Sequence, residues 1–210
     1  MPAAVPPHRG AVAVVDSHTH LASCDAPAAE LVAEAVAAGV TRMVTIGCGR
    51  ESSETAVGLA DAHDEVWAAV GVHPHDADGW SDADADWMRA LAAHPKVVAI
   101  GECGLDYHYD HSTLPHQADA FRAQIAIARD VGLPVVVHTR EAADDTLRIL
   151  RDDAAGHPVI LHCFSLPHHV DAVAAEGWYA SFAGPLTFNR SDDLRAAAAA
   201  LPAERLLVET

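Results

Sequence analysis

VVDSHTHL, residues 14–21, carries an apolar run straight into two histidines, His18 and His20, separated by one threonine. A short apolar run without strict alternation suits a strand buried on both faces, as in a parallel sheet covered by helices. Successive side chains of a strand point to opposite faces, so residues two apart project together. His18 and His20 therefore leave the strand side by side, able to grip one ion from one strand end. If the strand belongs to a parallel barrel, that end is the face on which such barrels keep their chemistry.

Outward from this stretch, β-branched runs recur: AVAVVDSH (11–18), RMVTIG (42–47), VWAAVGVH (66–73), VVAIGE (97–102), PVVVH (134–138), VILHCF (159–164), WYASFAG (178–184) and RLLVE (205–209). Between them lie alanine-rich segments such as APAAELVAEAVAAG (26–39) and HQADAFRAQIAIARDVG (116–132), with apolar residues at helical spacing and a terminal glycine. Alternating strands and helices imply a parallel sheet flanked by helices, and about eight units close a (β/α)8 TIM barrel of typically about 250 residues. A doubly wound open sheet competes, but no G-x-G-x-x-G turn or P-loop supports it. The chain is expected to be a single barrel domain over residues 1–210 that lacks the final helix, because it stops at Thr210, at the eighth strand.

Composition sets the class. Half the residues are hydrophobic and 20% are charged, ordinary for a soluble globular protein. The formal net charge is −17, from 30 acidic and 13 basic residues, and Lys96 is the sole lysine. That field repels polyanions at long range, so broad non-specific binding of a duplex is not expected, and a substrate phosphate needs a local cation. No apolar stretch approaches the roughly 20 residues of a membrane helix. The start, MPAAVPPHRG, lacks the pattern of a secretory signal, and Cys24, Cys48, Cys103 and Cys163 form no C-x-x-C pair. A cytoplasmic location, with no membrane and no obligate protein partner, is the expectation.

The histidines and one glutamate gather at strand ends. His18 and His20 close the first run, His73 and His75 follow the third, Glu102 ends the fourth, His138 the fifth and His162 the sixth. Any one strand-end histidine is more often a hydrogen-bonded core or loop residue than a ligand, but the set, converging from different strands, points to a metal site. Imidazole nitrogen and carboxylate oxygen suit zinc, manganese or iron, and a carboxylate can bridge two ions. Two neighbouring divalent ions clamp the attacking and leaving oxygens of a phosphoester displacement and lower the pKa of bound water toward about 7.

DSHTHL, GVHPH, GECGLDY, VVVHTRE, LHCFS and the terminal LLVET, in this order from residue 14 to the last residue, resemble the TatD family of metal-dependent hydrolases, within the amidohydrolase-like barrels. The resemblance implies that His18, His20, Glu102, His138 and His162 are metal ligands, with Glu102 bridging one or two divalent ions (magnesium, manganese or zinc). It implies a deoxyribonuclease that hydrolyses phosphodiester bonds by attack of a metal-bound hydroxide, taking DNA ends or a short single-stranded oligonucleotide as substrate. In the family the last motif continues as E-T-D, with the aspartate a ligand and probable base. This sequence ends at Glu209 and Thr210, which opens a rival reading as a truncated, catalytically weak or inactive product.

Other positions carry smaller expectations. His73 and His75 are candidate substrate contacts or loop residues, and Arg140, two residues past His138, is a candidate phosphate fork or a partner of Glu141 or Asp144. Asp106 is expected to orient a neighbour or its loop, and Asp16 to accept a hydrogen bond from a ligand imidazole. Cys103 and Cys163 read as small buried hydrophobes. A further alternative is hydrolysis of a small amide, lactone or phosphoester. The bridging carbamylated lysine typical of that branch has no counterpart, since the fifth run lacks lysine and Lys96 precedes the fourth.

Overall fold

A computed structural model describes residues 13–210. The opening segment read for a secretory signal lies outside the described residues. Eight parallel strands close into a barrel in sequence order: β1 Val14–Thr19, β2 Val40–Ile46, β3 Val66–Val70, β4 Val97–Asp106, β5 Val135–Arg140, β6 Val159–Leu161, β7 Tyr179–Phe182 and β8 Leu206–Val208. Among the described residues seven α-helices alternate with them: α1 Ala28–Ala37, α2 Arg50–Ala62, α3 Asp82–Ala92, α4 Leu114–Val131, α5 Ala143–Asp153, α6 Val170–Ala175 and α7 Asp192–Ala200. None is long and apolar enough to cross a membrane, among the described residues. The expected TIM barrel is the observed one.

The alternation of side chains divides the apolar residues between two cores. Val135 and Val137 of β5, and Val159 and Leu161 of β6, pack in the large cluster shared with the helices. Val136 joins Ile46, Ala69 and Ala99 in a separate small cluster, with Val44, Cys48 and Ile160 against it. This second set fills the barrel lumen. His138 has the parity of Val136, and His162 that of Ile160, so the strands that bury these aliphatic side chains in the lumen aim the histidines into its mouth.

Two elements differ from the sequence expectation. β4 does not end at Glu102 but continues to Asp106, a ten-residue strand. Gly104 makes this possible: at φ +140° a side chain is strained, and a Cβ there would overlap the carbonyl oxygen of His138 on β5. The glycine lets the two strands pass closely enough to place Glu102 beside His138. β6 is shorter than its run, ending at Leu161, because the chain turns out of the ladder at Cys163, which has φ +40°.

Closure of the barrel leans on side chains. β1 and β8 share one register pair, Asp16 with Val208. Ser17 Oγ donates to the Val208 carbonyl at 3.0 Å and meets Ser181 Oγ at 2.7 Å. Asp16 accepts from the Thr210 hydroxyl at 2.6 Å and from the Thr210 N–H at 3.2 Å. Asp16 was expected to hold an imidazole; its carboxylate instead accepts the His18 backbone N–H at 3.2 Å and clasps the end of β8. Val14, Val15 and Val208 are exposed on this flank.

Lys96 lies at the opposite end, just before β4. Its ammonium donates to the carbonyls of His63, Asp64 and Val66 at 3.0–3.3 Å and sits 4.8 Å from the Trp67 ring centroid. Hydrogen bonds to a charged group contribute about 1.5–3 kcal/mol each, and truncation leaves the partners without a donor. Lys96→Met keeps the aliphatic packing and removes the donors, so urea unfolding should show a loss of about 2 kcal/mol or more. An unchanged midpoint would assign Lys96 to packing alone.

Candidate metal centre

Glu102 stands at the middle of the site with a side chain only 4% exposed. Its two oxygens face different groups. Oε2 lies 3.4 Å from His18 Nε2 and 3.9 Å from His20 Nε2. Oε1 lies 2.7 Å from His162 Nε2, 3.0 Å from His138 Nδ1 and 3.5 Å from His73 Nε2. The structure thus brings together all five residues in which the sequence suggests ligands, and adds His73 beside them.

The nitrogen–nitrogen distances test whether a divalent ion suits this arrangement. His18 Nε2 and His20 Nε2 are 3.2 Å apart, and His138 Nδ1 and His162 Nε2 are 3.3 Å apart. Two nitrogens each about 2.0–2.1 Å from one tetrahedral zinc stand roughly 3.3 Å apart, so both pairs have the spacing of ligands on a shared ion. One pair faces each oxygen of Glu102, the layout of a carboxylate between two cations. The donor set fits the group.

Protonation states agree in part. Burial would push the Glu102 carboxyl up, but the charge of His162 and hydrogen bonds from His138, His162 and His18 hold it well below the usual carboxylate range. Burial lowers His18, keeping its imidazole neutral and a donor of lone pairs. His162 behaves otherwise: burial opposes its charge, yet Glu102 and Glu209 raise it to about 9. A cation entering here displaces that proton, so binding and proton release are linked.

Neighbouring groups set which ring nitrogen faces inward. His138 Nε2 meets Asp106 Oδ2 at 3.1 Å, which leaves Nδ1 for the centre. Asp106 also holds His75 Nε2 at 2.9 Å and accepts the backbone N–H groups of His108 and Tyr109. It orients both a neighbour and its loop. His73 has the opposite polarity to the other histidines: Nδ1 accepts the His75 N–H at 3.1 Å, so the neutral ring carries its proton on Nε2, toward Glu102. His73 is a donor into the site.

His75 is at the cavity wall but tied to Asp106. Arg140 is not brought to Glu102. β5 persists to Arg140, but its guanidinium lies 4.7 Å over the Tyr109 ring at the exposed rim, away from any ion pair with Glu141 or Asp144. Cys103 is buried against the Val136 carbonyl, and Cys163 is half-buried. Two residues had no role assigned from sequence. Cys48, two positions past Ile46 on β2 and so on the lumen side, puts Sγ 3.8 Å from Glu102 Oε2. Glu209, just past β8, has a side chain 2% exposed, 3.5 Å from His162 Nδ1. Its position at a strand end is the signal that marked the others.

The centre opens into a cavity of about 720 Å³ lined by His20, Cys48, His73, His75, Asp76, Glu102 and His111. A second hollow of about 590 Å³ shares Cys48 and Asp76 and is walled by Arg50, Ser52 and Trp80.

The sequence model of the family described as TatD related DNase matches residues 15–210. YabD of Bacillus subtilis, named an uncharacterized metal-dependent hydrolase, is 38% identical over 199 residues, which cover 93% of this chain and 78% of that protein. A protein of Cronobacter sakazakii named 3'-5' ssDNA/RNA exonuclease TatD is 40% identical over 186 residues, 86% of this chain and 70% of its own. Among solved structures, YJJV, a TatD homologue from Escherichia coli K12, superposes with a TM-score of 0.83 at 26% identity, covering 94% of this chain and 78% of that one. A barrel ringed by imidazoles about one buried glutamate, matched along nearly its whole described length, belongs to the TatD-related family of metal-dependent hydrolases.

Proposed function

We propose that the protein hydrolyses phosphodiester bonds at the ends of single-stranded nucleic acid, with His18, His20, Glu102, His138 and His162 holding one or two divalent ions. The observation that carries this reading is the division of Glu102 between two imidazole pairs. Support for the substrate comes from relatives named as 3'-5' ssDNA/RNA exonucleases at 40% identity. When bound, the ions supply positive charge against the phosphate and acidify water. An imidazole-rich set favours zinc or manganese over magnesium, which prefers oxygen ligands.

The chain's own residues do the rest. Glu102, kept ionised by the imidazoles around it, would hold the ions through its carboxylate. Asp106 fixes His138, leaving Nδ1 turned inward, and restrains His75 at the wall. His73 directs an N–H at the space beside Glu102, where a phosphate oxygen can accept it. His75 and Arg140 line the approach, with Arg140 on Tyr109 at the rim as a cation for a flanking phosphate. With a net charge of −17, affinity is confined to this pocket and does not extend along a duplex.

The test is cleavage of an end-labelled single-stranded oligonucleotide after chelation and re-addition of zinc or manganese. The expected result is metal-dependent release of nucleotides from one end, with duplex DNA of the same sequence cut at least ten times more slowly. A chain that binds metal but leaves oligonucleotides intact while hydrolysing a small lactone or amide would overturn the substrate. The lysine that bridges metals by carbamylation in that class is absent from the site, since Lys96 is bound to backbone carbonyls at the far end of the barrel.

A further inference from the structure

Among the described residues, three buried polar atoms beside Glu102 lack hydrogen-bond partners: Nδ1 of His18, Nδ1 of His162 and Oε2 of Glu209. Buried polar groups are nearly always paired, and each that is not calls for a physical reason. All three residues belong to one group, in which an atom from each lies within 4.8 Å of the others. The two imidazoles are stacked, their centroids 4.0 Å apart and their planes within 8°. Each directs Nε2 at Glu102, at 3.4 Å from Oε2 for His18 and 2.7 Å from Oε1 for His162. Their remaining nitrogens are the orphans, and Glu209 Oε1 is 3.5 Å from that of His162.

Glu209 is held firmly enough to act on them. Its Oε1 accepts the Cys163 N–H at 2.8 Å, and its own N–H donates to the Phe182 carbonyl at 3.2 Å. The side chain is thereby anchored to the turn just after His162 and to β7, with the second oxygen left over.

We propose that Glu209 is a positioning residue, whose carboxylate takes the Nδ1 protons of His162 and His18 together and so fixes both rings in the tautomer that offers Nε2 to a divalent ion. An ionised carboxylate is acceptor-only and has two oxygens, so it can serve two N–H groups while keeping the bond to Cys163. Metal-bound histidines commonly pass their other ring proton to such a carboxylate, and losing it typically weakens metal binding 10–100-fold. Serving two stacked ligands from one carboxylate would set the relative rotation of the His18 side and the His162 side of the centre. The proposal rests on the reading of His18 and His162 as ligands.

The test uses zinc alone, measured by competition with a chromophoric chelator. Glu209→Gln preserves shape and the acceptor for Cys163, but it removes the charge and puts an N–H where the unpartnered second oxygen offered a lone pair. That favours the tautomer protonated on Nε2. The expected result is zinc affinity 10–100-fold weaker than wild type, with the melting temperature of the metal-free protein little changed and Glu209→Asp recovering part of the loss. A second measurement needs no variant: in the zinc-loaded wild type, nitrogen NMR should show protonated Nδ1 in both His18 and His162, with slow exchange of those protons. Equal zinc affinity in folded Glu209→Gln, or freely exchanging or unprotonated Nδ1 atoms in the wild type, would refute the role of Glu209. Failure of the wild type to bind zinc would refute the reading of the centre itself.

Discussion

Glu102→Gln should lower metal-dependent cleavage of single-stranded DNA at least 100-fold and leave the purified protein with less than half of the wild-type metal. The side chain is sterically unchanged, so the loss isolates one property. A carboxylate presents lone pairs from both oxygens, whereas the amide presents them from one side and N–H donors from the other. Both imidazole pairs, His18 with His20 and His138 with His162, lose their anionic partner, and whichever way the amide lies one of them also meets N–H donors in place of lone pairs. Removing a group that only supports a ligand typically costs 10–100-fold, and Glu102 is proposed as a ligand itself. The charge loss also strips His162 of the carboxylate that raises it to about 9, so the variant should bind zinc with less proton release. Metal content by emission spectroscopy and initial rates on an end-labelled oligonucleotide are the two measurements. Wild-type values for both would remove Glu102 from the centre.

Gly104→Ala should be the most damaging single-methyl addition on β4, costing about 3 kcal/mol. Two effects combine there. The backbone at φ +140° is strained for any residue with a Cβ, and the added carbon overlaps the His138 carbonyl across the β4–β5 contact. The strands would have to separate at the pair that carries Gly104 and His138, where the ladder also joins Cys103 to Val137 and Leu105 to Thr139. For a chain of this size the melting temperature should fall by about 10 °C. Gly58→Ala is the matched control: Gly58 lies inside α2, a Cβ there meets nothing within 4 Å, and alanine is the better helix former. That substitution should leave stability unchanged or raise it by about 0.5–1 kcal/mol. Equal melting temperatures for the two variants would show that β4 and β5 can part without penalty.

These two positions mark how far the sequence could be read. The barrel was legible because the runs around residues 44, 68, 99 and 136 are predominantly apolar, as strands with two buried faces are. The gathering of His18, His20, Glu102, His138 and His162 followed from a rule of position alone, that parallel strands deliver their ends to one face. What the sequence does not display is the pairing across that face. Asp106 with His138, Cys48 with Glu102 and Glu209 with His162 depend on strand register and on where glycines let backbones close, and those are properties of the assembled ladder. Asp16 illustrates the limit: two residues before His18 it shares that residue's face, but its carboxylate is taken by the N–H and hydroxyl of Thr210, 194 positions away. Arg140 shows it again, since two residues along a strand keep the face, yet a long side chain at the rim finds the Tyr109 ring.

The clasp between Asp16 and Thr210 joins residues 194 positions apart, and the strands it unites carry His18 on one side and lead into Glu209 on the other. On the ligand set proposed above, a divalent ion held by His18, with Glu209 behind it, would act as a rivet through the joint at which the cylinder's first and last staves meet. Loading the protein with metal would tighten the hoop as well as arm it, so that resistance to heat and readiness for chemistry rise from the same few contacts.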